Sequence, residues 1–417
     1  MKSILIKNGV NFYPVSDEKF KTYVAGIFIH TPLNKDTATE NALIPPVLKR
    51  GSAKYSTARA INQALDMLMG AAINQSVLKK GENQVLAFTI TGLSESFAPS
   101  ADCFKKGLSL LFEMVFNPIQ GFKREYVDGE KQNLRNVIES EKNDKRIYAG
   151  IRCRQEMCKG EPYEISENGR VQDIDKITNE SLFTRYGKLI KESSIDIIVC
   201  GNFNETAAEQ TIIDLCKSLP ERRSALPETK PSIPSELRTV TENMDVNQGK
   251  LCVGFVTGKI ESESKDLPSM MVYNSIFGGG AHSKLFMNVR EKLSLAYYAS
   301  SVFERAKGLI IVSAGIESKN FEEAKNEILA QHGEMLKGNI TIDELNSAKS
   351  SIINSLKSAS DSVSDFLSFN LNQLLAGSPK SIEETIKAID SVTLEDVARV
   401  SPLVKPKLIY FLKGADN

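Results

Sequence analysis

The stretch IDKITNESLFTRY, residues 174–186, returns in altered form as IDSVTLEDVARV, residues 389–400. Each copy precedes, at a similar distance, an apolar run that ends in glycine, IDIIVCG in the first half and KLIYFLKG in the second. An Ile-Asp pair, a threonine and a closing apolar run in the same order are hard to obtain twice by chance. The pair therefore indicates that the chain is duplicated.

The segments around these copies repeat in the same order. NQVLAFTITGLSES (residues 83–96) and GLIIVSAGIES (residues 308–318) have the β-branched and aromatic pattern of strands, and both are followed by helical spacing. Because strands come as neighbours and helices in pairs, we expect an α+β fold of two homologous domains. In each domain an antiparallel or mixed sheet would carry helices on one face.

A proline-rich stretch divides the two copies. Residues 219–237 contain four prolines, many charges and no aromatic residue, which is typical of an extended linker. The predicted domains are therefore residues 1–218 and 238–417.

Composition narrows the classes of function. The 417 residues contain 52 Lys and Arg and 52 Asp and Glu, so the formal net charge is zero and predicts neither a nucleic-acid partner nor an anionic membrane partner. No apolar run is long enough for a signal peptide or a membrane span. The six cysteines form no CxxC pair, and we expect Cys200 and Cys252 to be buried thiols in a reduced, cytoplasmic protein.

The glycine-rich stretch FGGGAHSKLF, residues 277–286, allows three interpretations. A phosphate-binding loop requires GxxxxGK[ST] directly after a strand, whereas helical spacing precedes these glycines. The glycines could instead end a helix with a left-handed turn. They could also form a flexible gate beside a substrate.

The residues that follow favour the gate. Leu285, Val289 and Leu293 step by four and predict one buried line, with Arg290 well off it. Tyr297 lies about two helical turns beyond Arg290, or at the mouth of a strand near it. A guanidinium and a phenol together can hold a peptide carbonyl or an oxyanion, although a surface arginine and a core tyrosine are the alternative.

The stretch FGGGAHSKLFMNVREKLSLAYY, residues 277–298, resembles the C-terminal-domain signature of the pitrilysin/insulinase family of zinc peptidases, which includes the mitochondrial processing peptidase. The resemblance implies the LuxS/MPP-like metallohydrolase fold. It implies that Arg290 and Tyr297 contact substrate and support the tetrahedral intermediate. It places Gly278, Gly279 and Gly280 beside the substrate cleft, and His282 in the same loop could touch the substrate.

The family's zinc motif is absent. H-x-x-E-H provides two imidazoles and a catalytic glutamate, but the matching positions here run from Ala42 to Pro46 as ALIPP. The two prolines are expected to disturb the interior of such a helix, although Pro45 could begin one. The later glutamate ligand is replaced by Asn136 or Val137.

The three histidines do not replace the missing ligands. We expect His30 to be structural and His332 to lie at the surface, and neither is paired with another histidine four residues away. No metal is therefore predicted in this chain.

The resemblance implies a non-zinc subunit of a two-subunit endopeptidase, inactive alone. A homologous H-x-x-E-H subunit would supply zinc, and a peptide would be the substrate. The alternative is a catalytically inactive structural or peptide-binding homodimer. A nucleotide-binding enzyme is a third hypothesis, which predicts ATP or GTP affinity.

Overall fold

The computed structural model describes residues 1–97, 102–221, 228–261, 263–377 and 380–414. Before the proline-rich segment the chain forms the strands β1 (Ile4–Lys7), β2 (Val10–Ser16), β3 (Thr22–Pro32), β4 (Ala72–Lys80), β5 (Asn83–Leu93) and β6 (Ser194–Gly201). The helices of this half are α1 (Ala38–Leu48), α2 (Ala58–Asp66), α3 (Cys103–Phe116), α4 (Arg124–Ser140), α5 (Lys145–Met157), α6 (Val171–Ile174), α7 (Asn179–Glu192) and α8 (Glu205–Cys216).

The second half repeats this order with fewer elements. Its strands are β7 (Arg238–Asn243), β8 (Gly249–Val256), β9 (Ala296–Glu304), β10 (Leu309–Ile316) and β11 (Lys405–Lys413). Its α-helices are α9 (Asp266–Gly278), α10 (Phe321–Leu336), α11 (Ile342–Asp361), α12 (Val363–Leu375), α13 (Ile382–Asp390) and α14 (Leu394–Val400). A π-helix, Leu285–Lys292, lies between α9 and β9.

The two sheets share one topology, except that the first has an additional edge strand, β1. The first has the order β1-β2-β6-β3-β5-β4, and the second has β7-β11-β8-β10-β9. In each sheet one pair is parallel, β2 with β6 and β7 with β11, and the other pairs are antiparallel. The predicted fold class, a duplicated α+β domain with a mixed sheet, is confirmed.

The repeated Ile-Asp motif marks the same helix start in both halves. Thr178 and Thr393 are the N-cap residues of α7 and α14, and each hydroxyl accepts a hydrogen bond from a backbone N–H in the first turn. Both form a reciprocal capping box, because the third helical residue bonds back to the cap. Ile174 and Ile389 are fully buried in the two cores. In each copy of the repeat, the threonine is therefore the N-cap of a helix and the isoleucine packs in the core.

Contacts divide the chain into two compact units that do not follow the halves strictly. One unit comprises residues 1–139, 165–228 and 360–375, and the other comprises residues 140–164, 229–359 and 376–417. The second unit therefore includes α5 from the first half, and the first unit includes α12 from the second half. The domain boundaries at residues 218 and 238 stay a prediction.

Each of these two helices packs on one face of the sheet in its unit, α5 in the second unit and α12 in the first. In the second unit, Cys153 and Met157 of α5 pack with Cys252, Ile311 and Tyr410. In the first unit, α12 provides a similar cover through its buried leucines at 367 and 371. The larger helical layer packs on the opposite face of each sheet, where the main cores lie.

Part of the proline-rich segment is held in place. Ser232 is buried, and its hydroxyl donates to the Glu161 carboxylate and accepts from Lys407 Nζ. Lys307 Nζ lies 2.6 Å from Glu161 Oε2 and donates to the carbonyl of Lys230. This buried network fixes residues 230–232 against the second unit.

The cysteines are all buried free thiols, as predicted for Cys200 and Cys252. Within the described part of the chain, no helix combines the length and apolar character needed to cross a membrane.

Candidate functional site

The glycine-rich segment ends α9, but not by a left-handed turn. Gly279 is the C-cap with φ of −82°, and neither Gly278 nor Gly280 has positive φ. Of the three interpretations, the helix end is therefore observed, but its left-handed turn is wrong. Gly278 is instead required by close packing, because a Cβ there would lie 2.7 Å from the backbone nitrogen of Ser301 on β9.

His282 folds back onto α9. Its Nε2 lies 3.2 Å from Ser275 Oγ, and the imidazole is half-buried. Burial lowers the pKa of His282, and a hydrogen bond with the Ser275 backbone partly opposes this effect, so the fold favours the neutral form of the ring. This arrangement ties the glycine-rich segment to its own helix.

The π-helix sets the direction of Arg290. Its hydrogen bonds span five residues, as from Leu293 N to Asn288 O at 3.1 Å, and this widens the turn. Leu285 and Val289 are fully buried as predicted, but the Leu293 residue is 40% exposed. The predicted buried line of three is wrong at Leu293, since a π-helix changes which residues share a face.

A cleft of about 390 Å³ joins the end of the π-helix to the start of β9. It contains both Arg290 and Tyr297, with the lining completed by Glu291, Ser294, Leu295, Ala296, Glu317 and Asn320. The volume falls in the range of about 300–1,000 Å³ that is common for ligand pockets. The glycines at 278–280 and His282 do not belong to this lining, so their role beside substrate stays a prediction.

Arg290 is held from two sides. Its Nε lies 3.3 Å from Glu291 Oε1, and its guanidinium carbon lies 4.6 Å from the centre of the Phe286 ring. The side chain is 42% exposed, so its remaining donors can reach a ligand. A guanidinium that is oriented but not buried suits binding to a carbonyl or a developing oxyanion.

Tyr297 stands at the mouth of β9. The residue is 70% exposed, and β9 begins one position earlier, at Ala296. Of the two geometries considered from the sequence, the strand geometry is therefore the one observed. β9 is an edge strand, paired only with β10 among the described strands. Its free edge begins beside the cleft.

The sequence analysis missed four polar residues of the lining: Glu291, Ser294, Glu317 and Asn320. Ser294 turns the chain from the π-helix into β9 with φ of 50°, and no sequence pattern announced this. Glu317 directly follows the last residue of β10, and Asn320 precedes α10. A polar residue immediately after a buried strand could have indicated Glu317.

The positions of the missing zinc motif lie in the buried interior of α1. Ala42, Leu43 and Ile44 are buried in the first core, and the helix continues through Pro45 and Pro46. The expected disturbance by the prolines is wrong. Each proline removes one backbone donor, but the helix resumes its bonding with Lys49 N to the carbonyl of Pro45.

The later helix supplies no ligand either. Glu130 of α4 is buried, but it pairs with Arg50 and accepts from Asn133 Nδ2 at 2.9 Å. Val137 is half exposed, and Asn136 bonds to Gln132 within the same helix. In the residues described, no group of three His, Cys, Asp or Glu side chains could hold a metal ion. The residues do not fit the family's zinc ion.

The other two histidines are core residues. His30 is fully buried on β3, with Nε2 at 2.9 Å from Asp196 Oδ2, which agrees with a structural role. His332 was expected at the surface, but it is buried against Phe255 and Phe277. That expectation is wrong because α10 packs its His332 face onto the second core.

Comparison with known proteins gives a consistent result. Residues 176–352 match the family described as Peptidase M16 inactive domain. The chain is 35% identical to the probable inactive metalloprotease YmfF of Bacillus subtilis (strain 168), over 98% of this chain and 97% of that protein.

Solved structures share the fold over the whole length. A conserved protein from Enterococcus faecalis V583 is 29% identical, with a TM-score of 0.91, and the match covers 100% of this chain and 99% of that one. The peptidase M16 inactive domain from Pseudomonas fluorescens has a TM-score of 0.81 over 100% of this chain and 98% of that one. At 18% identity this second likeness shows the fold alone.

Proposed function

This chain belongs to the M16 peptidase family, and from that premise we propose that it is the non-zinc subunit of a two-subunit zinc endopeptidase. The resemblance predicted from residues 277–298 is confirmed. In the proposal, a homologous H-x-x-E-H subunit supplies zinc and the attacking water. This chain supplies Arg290, Tyr297 and part of the substrate cleft.

The observation that carries the proposal is the meeting of Arg290 and Tyr297 in one cleft, in a chain whose zinc-motif positions are apolar. These side chains can donate to a substrate carbonyl and to the oxyanion that develops from it. No group of three His, Cys, Asp or Glu side chains in the described residues could hold a metal ion beside them. In the proposal, this chain therefore binds the substrate and stabilises the oxyanion, and the partner subunit supplies the zinc and the attacking water.

The edge of β9 supports a peptide as the substrate. An extended peptide can add to a free strand edge through main-chain hydrogen bonds, which require little of its sequence. Because β9 starts in the cleft, such a peptide would pass directly by Arg290 and Tyr297.

The experiment combines this chain with a homologous H-x-x-E-H subunit and measures peptide cleavage. Arg290→Ala and Tyr297→Phe should each lower kcat by about 10²–10³-fold, the usual effect of losing one oxyanion donor. Thermal unfolding should change little, since both side chains are substantially exposed. Lys292→Ala, on the same helix but outside the cleft, is the matched control.

Three results decide the proposal. Cleavage that appears only in the mixture and falls in both variants supports it. Full activity of both variants in an active mixture refutes the roles of Arg290 and Tyr297. Stoichiometric zinc in the isolated chain, together with unaided cleavage, would refute the division of labour.

A second candidate function is an inactive structural or peptide-binding homodimer. It is favoured by the similarity to a relative named as a probable inactive metalloprotease. It predicts a dimer of the isolated chain by sedimentation and no cleavage with any zinc-bearing homologue.

A further inference from the structure

We propose that the face of the second sheet covered by α5 holds a subsite for an acidic side chain, Glu or Asp, of a peptide paired with β9, and that Arg146 determines this selectivity. The inference rests on the proposed function, because it assumes that an extended peptide adds to the free edge of β9 beside Arg290 and Tyr297.

The first argument is the direction of the side chains on β9. Successive side chains of a strand point to opposite faces of the sheet. Ala299 packs in the second core and the Ser301 hydroxyl donates to Asn274 Oδ1 of α9, so these positions face the main helical layer. Tyr298 and Ser300 therefore point to the face that α5 covers. A peptide paired with β9 would have the same alternation, and every second side chain would lie on that face.

Arg146, in the first turn of α5, is oriented toward this edge. Its guanidinium carbon lies 4.3 Å from the centre of the Tyr298 ring, and its Nη2 lies 3.5 Å from Ser300 Oγ. The guanidinium therefore spans two successive positions of β9 on the α5 face. Arg146 is exposed, and 3.5 Å is long for a hydrogen bond, so most of its N–H donors remain available for a ligand.

The Tyr298 ring fixes the position of this guanidinium. The ring lies over Gly315, its partner on β10, where a Cβ would come within 2.5 Å of Tyr298 Cε1. Glycine at this position thus makes room for the ring on the sheet. Because the sheet holds the ring and the ring holds Arg146 by a cation–π contact, the guanidinium needs little ordering when a ligand binds.

The balance of charge on this face favours an anion. Lys250 Nζ lies 5.9 Å from the centre of the same ring and donates to Gln248 Oε1, a neutral group. Among the described residues, neither Arg146 nor Lys250 forms an ion pair with a carboxylate. The neighbouring Asp144 carboxylate is the N-cap of α5 and accepts from the backbone N–H groups of Arg146 and Ile147. Two cations and one carboxylate leave a net positive charge.

The titration of Lys250 agrees with this balance. Burial lowers the pKa of Lys250 and Asp144 opposes this effect, while the charge of Arg146 lowers the pKa again. Arg146 and Lys250 are thus close enough for their like charges to repel, and a bound carboxylate would relieve this repulsion.

Other groups of a peptide fit this position less well. A lysine or arginine would be repelled by Arg146 and Lys250, and a neutral side chain would leave their mutual repulsion in place. The terminal carboxylate of a peptide has the same chemistry as an acidic side chain. However, β9 continues from Tyr298 to Glu304, so the peptide main chain can pair beyond Arg146 without ending there. We therefore assign the subsite to a side-chain carboxylate.

The test measures peptide binding to the full chain by fluorescence anisotropy. Three nine-residue peptides with blocked ends carry Glu, Gln or Lys at the central position and are otherwise identical. We expect the Glu peptide to bind about fivefold more tightly than the Gln peptide, the upper range for a partly exposed ion pair, and the Lys peptide to bind most weakly. Added salt should reduce these differences. A fourth peptide, which ends at the central Gln with a free carboxylate, tests the terminal source.

Three variants assign the effect. Arg146→Gln should bring the ratio between the Glu and Gln peptides close to one. Arg146→Glu should invert the order and favour the Lys peptide, which a merely structural role of Arg146 would not produce. Lys145→Gln is the matched control, because it removes the same charge from the adjacent residue, whose Nζ donates to the Lys142 carbonyl. It should keep the full ratio.

The outcomes separate this inference from the proposed function. If the Glu, Gln and Lys peptides bind equally while Arg290→Ala weakens them all, the acidic subsite is refuted and the peptide cleft stands. If Arg146→Gln keeps the preference for Glu, or Lys145→Gln also removes it, the role of Arg146 is refuted. Tight binding of the free-carboxylate peptide alone refutes a side-chain ligand. If no peptide binds, the inference is refuted, and cleavage by the mixture decides the proposed function by itself.

Discussion

At the scale of single residues, Ser294 has the most demanding backbone near the cleft. Its φ of 50° is left-handed, a conformation that costs an L-residue roughly 1–2 kcal/mol relative to its preferred regions. The residue joins the π-helix to β9 and lines the cleft between Arg290 and Tyr297. Strained residues of this kind often occur at functional sites.

Ser294→Gly should therefore raise the free energy of unfolding by about 1 kcal/mol, because glycine adopts positive φ without steric cost. Urea unfolding measures the change. Ser368→Gly, on the exposed side of α12, is the control and should lower stability, since glycine is unfavourable within a helix. Equal losses in both variants would show that Ser294 is not strained.

His332 shows how burial changes a titration. Its Nδ1 lies 3.1 Å from Tyr273 Oη, and the ring packs among aromatic side chains. Burial lowers the pKa of His332 to about 4, so the folded protein keeps the ring neutral where an exposed histidine would be charged.

The unfolded chain should bind a proton at His332 near pH 6.5, and the folded protein only near pH 4, so stability is lost as pH falls through this window. Between pH 7.5 and pH 5 the loss due to His332 should approach about 2 kcal/mol. Urea unfolding of the wild type and His332→Gln at both pH values measures it. Identical pH dependence in the two proteins would contradict this assignment.

At the scale of elements, the packing of α9 against β9 determines which of the glycines can be replaced by a larger residue. Gly278 meets the backbone and hydroxyl of Ser301, whereas a Cβ on Gly280 would meet only the ring of His282. Backbone cannot move aside as a side chain can, so these neighbouring glycines face different constraints.

Gly278→Ala should lower the free energy of unfolding by about 1–3 kcal/mol, the usual cost of overpacking, because α9 must shift from β9. Gly280→Ala should cost much less, since the His282 ring can rotate away. Thermal unfolding of the two variants compares them directly. Similar losses would mean that Gly278 is not held by packing against Ser301.

At the scale of the whole molecule, the duplicated halves exchange equivalent helices. α5 follows α4 in the first half as α12 follows α11 in the second, and each covers the sheet of the unit formed mainly by the other half. Each unit therefore needs residues from beyond the proline-rich segment. Cutting the chain there should not yield two intact domains.

A fragment of residues 228–417 lacks α5, so the apolar face with Cys252, Ile311 and Tyr410 loses its cover. We expect this fragment to bind a hydrophobic dye and to unfold without cooperativity. A peptide of residues 140–164, added in trans, should reduce dye binding and restore a cooperative transition. A fragment that unfolds cooperatively by itself would contradict this view of the fold.

Local patterns predicted many of the elements. The β-branched pattern of GLIIVSAGIES predicted β10, and the helical spacing after it predicted the helix that the structure shows as α10. The predictions were wrong for Leu293, because it lies at the end of a π-helix. They were also wrong for His332 and for the prolines of α1, because tertiary packing determines their surroundings. The same holds for Glu317, which reaches the cleft from the end of another strand.

The sequence by itself determined the duplication, the family and the loss of the zinc ligands, since each depends only on which residue types occur in which order. The tertiary structure alone decided which helix covers which sheet, the conformation of the glycines and the charges around Arg290. The physical reason is that the residues in contact are separated by long distances along the chain. Burial, close approach and ion pairing depend on residues that are far apart in sequence, and only the folded chain brings them into contact.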